Sequence, residues 1–423
     1  MDIVYINQHY RTPAMKGGSR SYEFSRRLVD RGHRVNMLAA APLRQSVKNE
    51  GVWWTTEEAG VTVHWCGVPY SKYMGFRERI QAFSRFALRA TVRASALPQD
   101  VVFATSTPLT VAIPGSCAAL RNRVPMVFEV RDVWPEVPIA MGILRNPALQ
   151  RASFALEAWA YRSSDSIIAL SPDMARSITS RFPGARVTVI PNCSDLSLFA
   201  APNGAKVTAV RSSRPWLGDR PLLVYTGSLG AANGVGYLAQ VADVLRSIAP
   251  EVRILVVGDG KGRDELGKLA RRLGVWEKNL FVERSIAKRD VPALLAAADM
   301  CLSVFADVPA LSANSPNKVF DAFAASRPVV INNGGWLAEV LRESGAGIAV
   351  PPDDPVAGAK MIAQHIMDPE FLARAQSAAG LLARGQFNRD VLFEKFEEVL
   401  LSAVSRGARR GTRRRYSSQN SPE

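Results

Sequence analysis

The opening stretch, MDIVYINQHYRTPAMKGGSRSYEFSRRLVDRGHRVNMLAA (Met1–Ala40), decides the fold class. Ile3–Asn7 is a short apolar run with strand character, and Gly17 and Gly18 mark a loop after it. A helix is expected from Ser21 to Asp30, with Phe24 and Leu28 four apart on one face. Gly32 supplies a left-handed stop, and the chain re-enters an apolar strand at Arg34–Ala39. Strand, glycine turn, helix and strand make the repeating unit of a parallel α/β sheet.

Similar units recur at Val101–Ala104, Met126–Val130, Ser166–Ala169 and Val187–Ile190. The pattern lapses from Ala201 to Asp219, through PNGAK and SSRPWLGDR, which reads as a linker. A second series follows at Leu222–Thr226, Arg253–Gly258, Asn279–Glu283, Met300–Phe305, Pro328–Ile331 and Gly347–Val350. The expected architecture is therefore α/β, with two Rossmann-like, doubly wound parallel-sheet domains at 1–205 and 206–384. Helix is expected again from Arg389 to Val404, so that 385–405 forms a C-terminal helix packing back on the first domain. The Arg-rich end, 406–423, reads as a disordered tail. Open sheets of this kind bind ligands at the carboxyl ends of their strands, so two facing edges would make a deep inter-domain cleft.

A chain of 423 residues is long enough for two cores, and 47% apolar with 22% charged residues is a globular balance. The 53 Lys+Arg against 38 Asp+Glu leave a net charge of +15, which attracts phosphorylated small molecules, anionic lipid or nucleic acid. Cys66, Cys117, Cys193 and Cys301 are scattered without CxxC spacing, as in a reducing cytoplasmic setting. MDIVYI is a strand-like start, so no secretory leader is expected. Val291–Leu311 is interrupted by Pro292, Asp299, Asp307 and Pro309 and falls short of a membrane span.

Eight motifs stand in order: GGSRSYEFSRRLVDRGHRV from Gly17, TSTPLT at Thr105–Thr110, VRDVWPE at Val130–Glu136, LSPDM at Leu170–Met174, VIPNCSDLSLF at Val189–Phe199, YTGSLGAANG at Tyr225–Gly234, VVGDG at Val256–Gly260 and SPNKVFDAFAASRPVV at Ser315–Val330. In this register they resemble the family-4 retaining glycosyltransferases of the GT-B fold, most closely the bacterial subgroup that builds capsule, O-antigen or colanic-acid repeat units. The resemblance implies a nucleotide-sugar donor, UDP-linked by subgroup, a glycan or polyprenyl-diphosphate-linked sugar acceptor, and cytoplasmic work on surface polysaccharide at the inner face of the membrane.

SPNKVFDAF is the sharpest element. Ser315 suits an N-cap and Pro316 the first helical position, so the helix's free amides would face the donor diphosphate. Asn317 and Lys318 lie in its first turn, and Lys318 adds a full charge there. The resemblance implies a Glu-x7-Glu pair, of which Asp321 holds the second, ribose-contacting place. Ala313 stands at the first, leaving Asn314 and Ser315 as substitutes toward the sugar. The GSLGAANG turn, with Gly227, Ser228, Gly230 and Asn233, follows a strand and suits a phosphate nest, but has Ser228 and Asn233 where the family often has Arg and Lys. Lys318 is then the first candidate for the diphosphate cation, ahead of Arg284, Lys288, Lys261 and Arg263. Gly258 and Gly260 form a turn expected beside the base, with Asp259 equally a turn residue.

In the first domain, Gly17 and Gly18 would let the loop approach phosphate, and Arg20 is placed to reach phosphate or solvent. His33, after the helix stop, reads as structural, and His9 ends the first strand. Arg131 occupies the family's His position, followed by Asp132. Arg131 stabilises phosphate or pairs with Asp132, Glu129 or Glu136, and Asp132 or Glu136 is the candidate partner of the acceptor hydroxyl. With no Asp-x-Asp at a strand end, and Asp353–Asp354 in a turn, no essential metal or other cofactor is expected. Phe76, Ile80, Phe83, Ala87 and Ala90 share one helical face opposite Arg77, Arg85, Arg89 and Arg93, a pattern suited to an anionic membrane surface and joined there by the C-terminal arginines. The alternatives are a GT-B sugar-nucleotide epimerase, which would need more catalytic carboxylates and histidines, and a non-catalytic nucleic-acid binder. The basic tail offers only Tyr416 for base stacking, so nucleic acid is not the expected partner.

Overall fold

The computed structural model describes residues 1–13, 15, 19–41, 51–70, 74–193, 195–199 and 204–419, with Phe76 and 410–419 described in backbone only. Gly17 and Gly18 lie outside the described residues. The chain divides into Met1–Pro191 with Phe393–Glu423, and Asn192–Leu392. The division thus falls at Pro191 rather than near residue 205.

In the first unit the strands are β1 (Asp2–Ile6), β2 (Arg34–Ala40), β3 (Trp53–Glu58), β4 (Val61–Cys66), β5 (Val101–Thr105), β6 (Met126–Val130), β7 (Ser166–Ala169) and β8 (Val187–Val189). They form one sheet in the order β3-β4-β2-β1-β5-β6-β7-β8. Every pairing is parallel except β3 with β4. That hairpin is absent from the sequence reading. Its two-residue turn is Ala59–Gly60, at φ 51° and 75°, the doubly positive geometry that usually announces itself as Asn-Gly or Asp-Gly. A side chain at Gly60 would also strike Val29 Cγ1 at 2.7 Å.

One local device starts several helices in both units. Asn146, Ser171, Asp354 and Asp368 each accept hydrogen bonds from backbone amides of the turn that follows, and each precedes a proline at the first helical position. Asp354 is therefore a helix cap.

In the second unit the strands are β9 (Leu222–Ser228), β10 (Arg253–Asp259), β11 (Leu280–Glu283), β12 (Met300–Ser303), β13 (Val329–Ile331) and β14 (Gly347–Ala349). They pair in parallel in the order β11-β10-β9-β12-β13-β14. Side chains of β9 alternate between two cores, Leu223 and Tyr225 on one face and Leu222 and Val224 on the other. Both faces are covered, as a parallel sheet requires.

The expected linker at Ala201–Asp219 is instead built into this unit. Residues Gly204–Ser212 are helical, Trp216 stacks on Phe281 at 3.6 Å, Leu217 is fully buried, and Arg214 holds Glu283 at 2.7 Å. Polar composition suggested a spacer, but two apolar anchors and an ion pair fasten it down.

The last helix runs Arg389–Gln419, so the backbone does not lapse at Arg406 as expected for a tail. Phe396 packs on Phe24 and Phe103 in the first unit, at centroid distances of 4.9 Å each. Arg406 pairs with Asp165 at 2.7 Å, extending the helix's attachment past the expected boundary.

Candidate active site

At the carboxyl end of β9, Lys318 lies over the strand's last residues. Its amine donates to the Tyr225 hydroxyl at 2.7 Å and to Asn233 Oδ1 at 3.3 Å. The same amine sits 3.9 Å from the centroid of the Tyr225 ring. Burial pushes the amine down to about 7, and no charged neighbour contributes to the shift. Gly227 explains how lysine fits: at φ 140°, a Cβ there would stand 3.3 Å from Lys318 Cε.

The other glycines have reasons closer to packing. A Cβ on Gly258 would meet the Gly227 carbonyl oxygen at 2.0 Å, and one on Gly260 would meet that of Leu229 at 2.3 Å. Gly230 precedes the short turn Ala231–Asn233, and Ser228 offers its carbonyl to the Tyr225 hydroxyl at 2.8 Å. Asp259 accepts from the Ser285 amide and hydroxyl and lies 3.6 Å from Arg263, which makes it a loop-ordering residue. Arg284, just past β11, is exposed and makes no hydrogen bond or ion pair among the described residues. Lys261 is exposed nearby in chain order, past β10.

The helix after Pro316 runs Asn317–Ala324, with Pro316 at the cap and no side-chain capping bond. Ser315 is therefore not the N-cap expected. Its hydroxyl accepts from the Asn192 backbone amide at 3.1 Å, and its carbonyl accepts from the Asn192 side chain at 2.6 Å. The uncapped amides at this helix start fit an anion. Asn314 gives its carbonyl to the Trp336 indole at 3.0 Å, while its Oδ1 is buried with no hydrogen-bond partner among the described residues. Asp321 is ion-paired with Lys288, whose amine also lies 5.3 Å from the Phe199 ring centroid. A ribose contact by Asp321 would share the carboxylate with Lys288.

In the first unit, Arg20 departs from expectation. It is 4% exposed, bonded to Glu129 at 2.8 and 3.0 Å and to the carbonyls of Pro191 and Ile190 at 2.6 and 3.0 Å. Its donors are committed inside the fold, leaving little for phosphate. Glu129, fully buried, also accepts from the Thr105 hydroxyl at 2.7 Å. Arg131, at the end of β6, is fixed through its backbone amide by Ser106 Oγ at 3.0 Å. Among the described residues its guanidinium makes none of the pairings with Asp132, Glu129 or Glu136 that the sequence left open: Glu129 is paired with Arg20, Glu136 with Arg181, and Asp132 accepts from Thr107. Asp132 accepts from Thr107 Oγ1 at 2.7 Å. Glu136 pairs with Arg181 at 3.2 Å, and its Oε2 is buried without a partner. His9 packs against Tyr70 at 4.6 Å and is pushed down to about 3 by burial and by Arg11 and Arg131. It is neutral at physiological pH. His33 bonds the Met1 amine and Glu397, a structural role.

Residues 17–193 match the glycosyl transferase 4-like domain, and residues 220–368 match the glycosyl transferases group 1 domain. The chain belongs to the GT-B glycosyltransferases. It is 23% identical over 398 residues to WcaI of Escherichia coli K12, named as a colanic acid biosynthesis glycosyl transferase, covering 90% of this chain and 95% of WcaI. Glycogen synthase of Mycobacterium tuberculosis is 30% identical over 264 residues, and the chain spans only 60% of that relative's length. HepE of Anabaena, solved with UDP-glucose, superposes with a TM-score of 0.70 at 19% identity, covering 95% of this chain and all (100%) of HepE.

This family member departs from its sequence reading most in what surrounds Lys318. Tyr225 and Asn192 lie within two of the quoted motifs without a role read for either, yet Tyr225 holds the lysine and Asn192 holds Ser315. Among the described residues, no group of three or more His, Cys, Asp or Glu is placed to hold a metal ion. Among them, too, no helix is long and apolar enough to cross a membrane. In the Phe76–Ala96 helix, Ala87 and Ala90 turn inward and are buried, so they do not belong to an outer apolar face. Ile80, Leu88 and Val92 face outward, at 45%, 69% and 74% exposure, with Arg77 and Arg85 also exposed.

Proposed function

We propose that this chain transfers a hexosyl or N-acetylhexosaminyl group from a UDP-linked donor, with retention of anomeric configuration, to a sugar on a growing glycan or on polyprenyl diphosphate. The setting is surface-polysaccharide synthesis, with the protein peripheral on the inner face of the cell membrane. The observation that carries the reading is the Lys318 amine, held beside Gly227 at the carboxyl end of β9 with no carboxylate partner among the described residues. A buried amine of this kind is completed by an anion, and a diphosphate leaving group supplies one. The similarity to WcaI over most of both chains and the likeness to HepE, solved with UDP-glucose, support it.

The residues divide the chemistry as follows. Lys318 and the backbone amides at the start of the Asn317–Ala324 helix neutralise charge as the bond between the anomeric carbon and diphosphate oxygen breaks; Arg284 assists from just past β11. Asn314 Oδ1 accepts from a donor-sugar hydroxyl in place of the missing carboxylate. Asp321 turns to the ribose, and the Gly227–Asn233 turn lies along the phosphates. Arg131, with Asp132 and Glu136, orients the acceptor hydroxyl, which attacks on the face the diphosphate leaves and passes its proton to the departing diphosphate oxygen. These cations and dipoles make a metal unnecessary. The outward Ile80, Leu88 and Val92 beside Arg77 and Arg85 support docking to anionic lipid.

Incubation with UDP-, GDP- and TDP-sugars, with and without a lipid-linked acceptor, tests the reading. Nucleotide release that depends on acceptor, with the new linkage retaining configuration by NMR, is the expected result. Epimer formed without acceptor, or RNA binding without turnover, would overturn it.

A further inference from the structure

Lys318 is a long side chain with four rotatable bonds, and among the described residues it has no carboxylate to fix its amine. What holds it is Tyr225. The phenol's own hydrogen is committed to the Ser228 carbonyl at 2.8 Å, so toward Lys318 the phenol oxygen acts as acceptor. That polarity favours the ammonium over the neutral amine. The ring beneath, 3.9 Å away, favours the cation again. Burial alone opposes it. Tyr225 is itself fully buried in the core cluster that holds Leu223 and Leu229, so the ring has little freedom.

We propose that Tyr225 is the positioning residue for the diphosphate-binding cation: its ring and hydroxyl fix the Lys318 ammonium at the end of β9, and through Ser228 they tie that position to the glycine turn. The inference rests on the proposed donor site and adds to it the residue that sets the cation's geometry and charge. Tyr225 acts through Lys318 and touches no substrate. The titratable and charged groups nearest in the fold are limited. Asn233 offers a neutral oxygen from its turn, and Asp321, one turn along the same helix, is engaged by Lys288.

The test uses the full chain with Tyr225→Phe, Tyr225→Leu, Lys318→Ala and wild type. Binding of UDP-glucose and of GDP-mannose is measured by calorimetry from pH 6 to 9, a range in which neither diphosphate changes its charge. For the wild type, affinity should hold below about pH 7 and fall above it. Tyr225→Phe should weaken binding roughly tenfold, a single lost charge-assisted hydrogen bond, and move the break to lower pH. Tyr225→Leu, without the ring, should weaken it further. Amine labelling of the Lys318 peptide, followed by mass spectrometry against pH, reads the same shift without any ligand. Tyr225→Phe with wild-type affinity and an unmoved labelling profile, while Lys318→Ala loses binding, would overturn the proposal and leave the donor site standing. Equal weakening at every pH would assign the effect to the turn alone and also overturn it. Wild type that binds neither probe, or Lys318→Ala that binds like wild type, would overturn both.

Discussion

Each unit carries a cation in the first turn of a helix, Arg20 in one and Lys318 in the other, and the two are treated in opposite ways. In the first unit Arg20 is surrounded by acceptors: the Glu129 carboxylate and two backbone carbonyls take its protons inside the fold. In the second unit Lys318 meets a phenol and an amide and, among the described residues, nothing anionic. A saturated buried charge belongs to the scaffold, whereas a buried charge short of its counter-ion is poised for a ligand. From the sequence, Lys318 is a phosphate candidate and Arg20 is open between phosphate and solvent; the surroundings separate them.

The largest effect expected from breaking this comparison is structural. Arg20→Ala should strand Glu129 in the core and cost about 3–5 kcal/mol, as losing one partner of a buried pair does. Urea unfolding followed by circular dichroism reads it. A loss below about 1 kcal/mol would mean that the pair behaves like a surface ion pair. Glu129→Gln, which keeps hydrogen-bond acceptance at one atom, should cost less.

Lys318→Ala should do the reverse, leaving the fold intact while turnover drops by about 10²–10³, the range for removing one group that stabilises transition-state charge. Acceptor-dependent nucleotide release checks it, and near-normal turnover would remove Lys318 from the site.

The next prediction concerns pH. Burial lowers the Lys318 amine to about 7 in the folded protein, against about 10.4 for an unfolded chain. Between these values the unfolded chain binds more protons, so this group's contribution raises stability as pH climbs from about 7 to about 10. Below pH 7 the cost of the buried charge is fully present. Lys318→Met, similar in shape without the charge, should therefore be more stable than wild type below pH 7. The gap should close toward pH 10. Thermal unfolding at several pH values reads it, and a gap independent of pH would place the amine in water.

How much of this was legible follows from where each partner lies in the chain. Strand–helix alternation shows in runs such as Leu222–Thr226, because a strand buried on both faces is apolar throughout. Lys318 is visible as the basic residue in the first turn of a helix opened by Pro316. The partner of Arg20 is 109 residues away and that of Tyr225 is 93 residues away, so neither role can be read locally. The hairpin of β3 and β4 was hidden by its Ala59–Gly60 turn, and the Trp216 anchor by the polar residues around it.

The smallest effect expected concerns the membrane. The amphipathic period of the Phe76–Ala96 helix suits a membrane surface or packing of its apolar side on the sheet, and Ala87 and Ala90 take the second course. A helix covering a sheet must bury one apolar face regardless of any membrane, and Ala87 and Ala90 serve that purpose. Only apolar groups left over on the outside can enter lipid, namely Ile80, Leu88 and Val92. Leu88→Ser with Val92→Ser should therefore weaken association with phosphatidylglycerol vesicles by several-fold to tenfold, on the basis of about 1.4 kcal/mol per tenfold, while sparing turnover with a soluble acceptor analogue. Truncation after Arg406 keeps the Asp165 pair and should reduce the salt-sensitive part of binding instead. Vesicle flotation at low and high salt separates the two contributions. Unchanged flotation for both variants would leave the exposed face with a different partner, because its charge and its apolar surface would then have been removed without consequence for lipid.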